Sequence, residues 1–197
     1  MGRHRRRQTE VSAISAKGFL TIRRFDGTQE KEMSAIRRLV IILATLIACV
    51  GCDQSTKHVA RQLLQGRETI SVMGDVLRLG YAENVGGFLG IGAALPEPLR
   101  TGLFLLLAAL SLTALLAYAV MRRNIDLTHR LAVTLVVGGG FGNVVDRIAN
   151  NGGVVDFLNV GIGSLRTGIF NVADIAIMLG AAVLLLSVAT AHRRKNS

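Results

Sequence analysis

Tryptophan is absent from this 197-residue chain, and Phe and Tyr together number nine. So few aromatics argue against a nucleic-acid surface, which would interleave basic residues with exposed rings. Only two cysteines occur, Cys49 and Cys52, close together in an apolar run. A structural disulfide is not expected there, and without a second Cys or His pair the two supply too few ligands for zinc. Buried, inert thiols are the expectation. The four histidines are scattered at 4, 58, 129 and 192 and never recur at the spacing of a metalloprotease helix. Acidic residues are scarce too, 13 against 23 Lys and Arg, which leaves a net charge of +10.

Apolar residues, by contrast, make up 50% of the chain, and the mean hydropathy is +0.45. This is too hydrophobic for an ordinary soluble domain. Apolar segments at about 36–60, 99–121, 131–149 and 170–191 each approach the roughly 20 residues that a helix needs to cross a hydrocarbon core of about 30 Å. The excess charge sets topology. Ten Lys and Arg precede Leu39, three lie from Arg122 to Arg130 and three follow Ala191. The positive-inside rule then places both termini and the middle connection in the cytoplasm. The expected fold is an all-α membrane protein, four transmembrane helices with a small extracytoplasmic element that contains β-structure. That element falls in 62–95, where 69–81 mixes β-branched and apolar residues with Gly and Asp. The glycine-rich ENVGGFLGIG from Glu83 is expected to wall a cavity, because irregular backbone at membrane depth is tolerated only against protein or water. The last outer connection, 150–167, reads as a loop holding Asp156 in VVDFLNV.

Residues 1–32 are basic and lack a hydrophobic period, which predicts a disordered cytoplasmic extension ahead of a four-span unit at 33–197. Met33 is an alternative start. From there, MSAIRRLVIILATLIAC imitates a signal peptide with a lipid-attachment box. A cleaved lipoprotein would continue as a polar domain, whereas three more apolar segments follow. In the third, GGGFG from Gly138 sets Gly138 and Gly142 one turn apart, a pattern that lets another helix approach closely.

The predicted topology gathers polar groups at one membrane face. Asp53 and Lys57 end the first span, and Asn143, Asp146 and Arg147 end the third. Asn171 and Asp174 begin the fourth, while Asn84 and Asp156 lie in outer connections. Asp53 with Lys57 and Asn143 with Arg147 are i,i+4 pairs, and Asn171 with Asp174 is an i,i+3 pair, so each set shares a helix face. Ionisable groups at the membrane are costly and by default functional. Two carboxylates forced together cannot both ionise easily, so one keeps a proton while the other activates water. A Ser55–Lys57 hydrolase fits less well, because residues two apart on a helix do not face each other. The residues alone leave the pair open. Asp146 beside Arg147, and Asp53 with Lys57, read equally well as ion pairs, whereas Asp156 and Asp174 have no cation one turn away.

DQSTK from Asp53, ENVGGF from Glu83, GGGFGNVVDR from Gly138, VVDF from Val154 and FNVAD from Phe170 together resemble bacterial lipoprotein signal peptidase, or signal peptidase II. The motifs stand in family order across about 37–191. NVGGF is one residue shorter before Phe88 than the family's N-x-G-A-A-F, and the first 32 residues have no counterpart in a typical member. The resemblance implies a four-span aspartyl endopeptidase of the bacterial inner membrane, with a small extramembrane β-structure and an outer helix. It would remove the signal peptide of prolipoproteins before a diacylglyceryl-modified cysteine, require no metal or organic cofactor and be inhibited by globomycin. By position it makes Asp156 and Asp174 the catalytic dyad. Asp53, Lys57, Asn84, Gly86, Asn143, Asp146, Arg147 and Asn171 then line or support the site. The rival readings are a proton-coupled transporter, which would carry charges along both halves of its spans, and a non-catalytic assembly subunit.

Overall fold

A computed structural model describes residues 34–86 and 94–195, with side chains through Thr190. The basic extension at 1–32, and Gly87 and Phe88 of the glycine-rich segment, lie outside the described residues. The elements in chain order are α1 (Ala35–Leu64), β1 (Ile70–Val72), β2 (Leu77–Asn84), α2 (Glu97–Met121), α3 (Leu127–Ala149), β3 (Val154–Ile162), β4 (Leu165–Arg166) and α4 (Val172–Lys195). All four helices are long and apolar enough to cross a membrane. Local capping fixes where they start. Ser34 Oγ accepts the Arg37 N–H at 3.2 Å, Pro96 and Pro98 open α2, and Asp126 Oδ1 accepts the His129 N–H at 2.7 Å. The third helix therefore begins at Leu127, ahead of the apolar run, and the fourth begins at Val172 because Asn171 is its cap.

The central helix is α3, which packs against α1, α2 and α4. Its buried residues Val133 and Val137 join Ile42 and Ala119 in the bundle core. Leu43, Ile47, Leu106, Leu110, Leu185 and Leu186 point outward instead, as they must where lipid is the solvent. Without a hydrophobic drive between helices, close packing holds the bundle together. A Cβ placed on Gly138 would sit 2.7 Å from the Cys49 Cβ, and one on Gly142 would sit 2.5 Å from Asp53 Oδ2. Both glycines thus bring α3 against α1, as their spacing predicts. Among the thiols, Cys49 is half-buried but Cys52 is exposed, and both are free. Burial of Cys52 is corrected: a thiol is apolar enough to occupy the outer face of a membrane helix.

The strands form one antiparallel sheet in the order β1-β2-β3-β4. The strands foreseen in 69–81 are β1 and β2, and the described residues of that connection contain no helix. The segment around Asp156 is not a loop but the longest strand. Val154, Val155, Asp156 and Phe157 are all buried, so the run shows no alternation to betray its period. Phe157 packs with Ala60 and Leu64 of α1, which docks the sheet on the polar end of that helix. At 30 residues, α1 is about 45 Å long. It therefore exceeds a hydrocarbon core of about 30 Å and reaches the sheet.

Candidate active site

Alternation along β3 turns Val154 and Asp156 to the face opposite Val155 and Phe157. Their cross-strand partners are Asn84 and Ala82. All four line a cavity of about 1000 Å³ whose other walls are Asn143 and Arg147 of α3, residues 167–170, and Asp174, Ile177 and Met178 of α4. Both carboxylates, Asp156 and Asp174, thus face one space.

The start of α4 explains how Asp174 is held. Asn171 Oδ1 accepts the Asp174 N–H at 2.9 Å, and Asp174 Oδ2 accepts the Asn171 N–H at 3.2 Å. This reciprocal pair is a capping box built from Asn and Asp, which satisfies two backbone donors of the helix start. The other Asp174 oxygen accepts from Asn143 Nδ2 at 2.9 Å. Asp156 Oδ1 accepts from Asn171 Nδ2 at 2.7 Å, and its Oδ2 from Asn84 Nδ2 at 3.2 Å. The same Asn171 amide reaches Asn143 Oδ1 at 3.2 Å. Two amides therefore bridge the two carboxylates.

Beneath the bridge lies a buried charge cluster. Lys57 Nζ is 2.8 Å from Asp53 Oδ2, 3.1 Å from Asp146 Oδ2 and 3.0 Å from Asn143 Oδ1. An ammonium only donates, so it fixes Asn143 with its oxygen toward Lys57 and its NH₂ toward Asp174. Each partner carboxylate also grips the chain next to the pair. Asp53 Oδ1 accepts the N–H of Ala173 at 3.0 Å, one residue before Asp174. Asp146 Oδ2 accepts the N–H of Val155 at 2.9 Å, one residue before Asp156. Gln54 Nε2 spans both, 3.1 Å from Asp53 Oδ2 and 3.1 Å from Asp146 Oδ1.

Arg147 closes another wall. Its Nη2 donates to the Gly86 carbonyl at 3.1 Å, and its guanidinium lies 5.4 Å from the Phe104 ring centroid. Gly86 in turn donates its N–H to Asn84 Oδ1 at 3.0 Å, which leaves the Asn84 NH₂ for Asp156. Burial and the neighbouring Asp174 charge push the Asp156 carboxyl up to about 6, against the opposing pull of Asn171, Asn84 and Lys57.

The structure thus brings all ten of the predicted residues into one connected network. Gln54 was missed, although it sits inside DQSTK beside Asp53 and at i,i+3 from Lys57; a polar side chain on that shared face was the available signal. The apolar wall of Ile169, Ile177 and Met178 had no signal of its own.

A family model described as signal peptidase (SPase) II matches residues 45–190. The chain is 35% identical over 150 residues to a lipoprotein signal peptidase of Syntrophotalea carbinolica, covering 76% of this chain and 90% of that protein. It is 36% identical over 166 residues to one of Bifidobacterium adolescentis, covering 81% and 82%. A solved bacterial membrane enzyme shares the fold with a TM-score of 0.66 at 23% identity, over 80% of this chain and 90% of the other.

Proposed function

The chain belongs to the signal peptidase II family, a family of aspartic peptidases in the membrane, and from that premise we propose that Asp156 and Asp174 cut prolipoproteins on the N-terminal side of a diacylglyceryl-modified cysteine. The observation that carries this is the pair itself: two carboxylates on one apolar cavity, joined through Asn143 and Asn171. The pair holds one proton and binds a water. The ionised carboxylate takes a proton from that water as its oxygen attacks the scissile carbonyl, and the protonated one donates to the carbonyl oxygen. Collapse of the tetrahedral intermediate then sends a proton to the leaving amine. Asn143 and Asn171 position the pair, and Arg147, held by the Gly86 carbonyl, positions the substrate backbone.

With the basic connections inside, the termini lie in the cytoplasm and the cavity near the outer face of the inner membrane. Ile177 and Met178 on α4 let the signal peptide and acyl chains enter from the bilayer. Lipid left in hydrocarbon avoids an extraction cost of about 0.8 kcal/mol per CH₂. Globomycin would compete for the same cavity. The test is cleavage of a diacylglyceryl-modified prolipoprotein and its unlipidated twin in detergent, read by mass. Cutting before the lipidated cysteine alone is expected, and equal cutting of both would refute the specificity.

A pH profile follows from Asp156. With its carboxyl at about 6, the singly protonated pair disappears as pH rises, so kcat/KM should fall on the alkaline side with an apparent value near 6 that belongs to the pair. The native state also holds this proton more tightly than the unfolded chain, whose Asp titrates near about 4. The associated stability is complete below that value and lost as pH rises through about 6. A rate that is flat from about pH 5 to about pH 9 would contradict the assignment.

A further inference from the structure

A second cavity, of about 410 Å³, lies on the sheet, with Thr69, Ser71, Asp75, Arg78, Asn159 and Ile169 in its walls. None of these residues belongs to the four long helices. Ile169 also lines the cavity of Asp156 and Asp174, so one residue borders both an apolar space and a polar one.

The polar cavity is a built feature. Asp75 accepts from Ser71 Oγ at 2.6 Å, from Arg78 Nε and Nη2 at 2.7 Å each, and its carbonyl accepts from Arg166 Nη1 at 2.8 Å. The Arg166 guanidinium is also 3.5 Å from Asp75 Oδ2. These bonds hold Asp75 in a left-handed backbone at φ 71°, where a non-glycine residue needs compensation. They also keep its carboxyl well below the usual range, so it stays ionised. The charged residues of the cavity wall are Asp75 and Arg78; Arg166, outside the wall but 3.5 Å from Asp75 Oδ2, makes the surrounding cluster net positive.

The rim between the cavities offers a path. Thr167 N–H is bonded to the Val160 carbonyl and Phe170 N–H to that of Leu158, whereas Gly168 and Ile169 make no backbone hydrogen bond among the described residues. Such an open stretch can pair with an extended peptide.

We propose that the substrate chain crosses Ile169 in extended form, and that the polar residues after the scissile bond enter the second cavity, where Arg78 favours acidic over basic side chains. This rests on the signal peptidase reading above. The apolar signal peptide belongs with the spans, so the part leaving the membrane is the chain beyond the cut.

The test uses the full chain and lipidated prolipoprotein peptides of two kinds. One ends a single residue after the modified cysteine, and the others continue with either Asp or Lys at the next positions. Wild type should cut the Asp form about fivefold better than the Lys form in kcat/KM. Arg78→Glu should reverse that order, Arg78→Gln should abolish it, and both should leave the short peptide unchanged. If wild type treats the two long peptides alike, or if either variant slows all three peptides by the same factor, the inference is overturned. Should neither variant fold, the wild-type comparison decides alone. If wild type cuts none of the peptides, the peptidase reading itself falls; if it cuts all equally, only this subsite does.

Discussion

Asp156→Asn and Asp174→Asn should each lower kcat/KM by at least about 10³-fold, the scale of a lost general acid or base, while the protein remains folded. The geometry predicts different structural consequences for the two. At 174, an Asn oxygen can still accept the Asn171 N–H that Asp174 Oδ2 now accepts at 3.2 Å, so the capping box survives, but the bond from Asn143 Nδ2 at 2.9 Å is lost. Asp174→Ala would lose that reciprocal half of the capping box, while Asn171 Oδ1 keeps its bond to the N–H of residue 174; the cost is at most about 1 kcal/mol, and the comparison separates capping from catalysis. At 156, both carboxylate oxygens accept from amide NH₂ groups, Asn171 at 2.7 Å and Asn84 at 3.2 Å. An Asn side chain has only one oxygen, so one of these bonds must break. Burial, however, already disfavours the charged form of Asp156, and a neutral side chain relieves that penalty. The two effects oppose, and the net change in stability should stay within about 1 kcal/mol. Thermal unfolding in detergent beside the mass-resolved cleavage assay measures both quantities. A variant at either position that keeps more than about a tenth of wild-type activity would remove that residue from the dyad.

The parts of this molecule that were legible in its sequence are those where one physical rule dominates. A span needs an unbroken apolar length, so four helices could be counted, and i,i+4 spacing put Asp53 and Lys57 on one face of α1, where the ion pair is found. The strand of Asp156 was not legible. VVDF is buried on both faces, so neither a 2-residue nor a 3.6-residue period appears in it. Arg130 was counted among the charges that set topology, yet it is fully buried. Its guanidinium donates to the carbonyls of Ala119 and Arg122 at the end of α2. That role depends on a helix met only in three dimensions. The same is true of the grips on Ala173 and Val155: the carboxylates could be seen in the sequence, but their partners are backbone N–H groups 120 and 9 residues away.

Lys57→Met should produce the largest loss of stability of any single substitution at the site. Lys57 is 2% exposed and lies between Asp53 at 0% and Asp146 at 2%, so Met fills the same space but leaves two buried carboxylates without their cation. Removing one partner from a buried pair costs about 3–5 kcal/mol. Removing the half-exposed Arg78 from Asp75 costs far less, because water screens that pair. Asp53→Asn in the Lys57→Met background removes one of the two stranded charges, and its oxygen can still accept the Ala173 N–H. The double variant should therefore regain at least about 1 kcal/mol relative to Lys57→Met, a coupling expected of residues in direct contact. Activity should not return with it. Without the ammonium 3.0 Å from its oxygen, the Asn143 amide is free to turn, and its NH₂ is no longer committed to Asp174. Recovery of stability with cleavage still at least about 100-fold down would identify Lys57 as the residue that positions Asn143 against the dyad. If cleavage returned with stability, Lys57 would instead be only the counter-ion of Asp53 and Asp146, and Asn143 would be oriented by Asn171 alone.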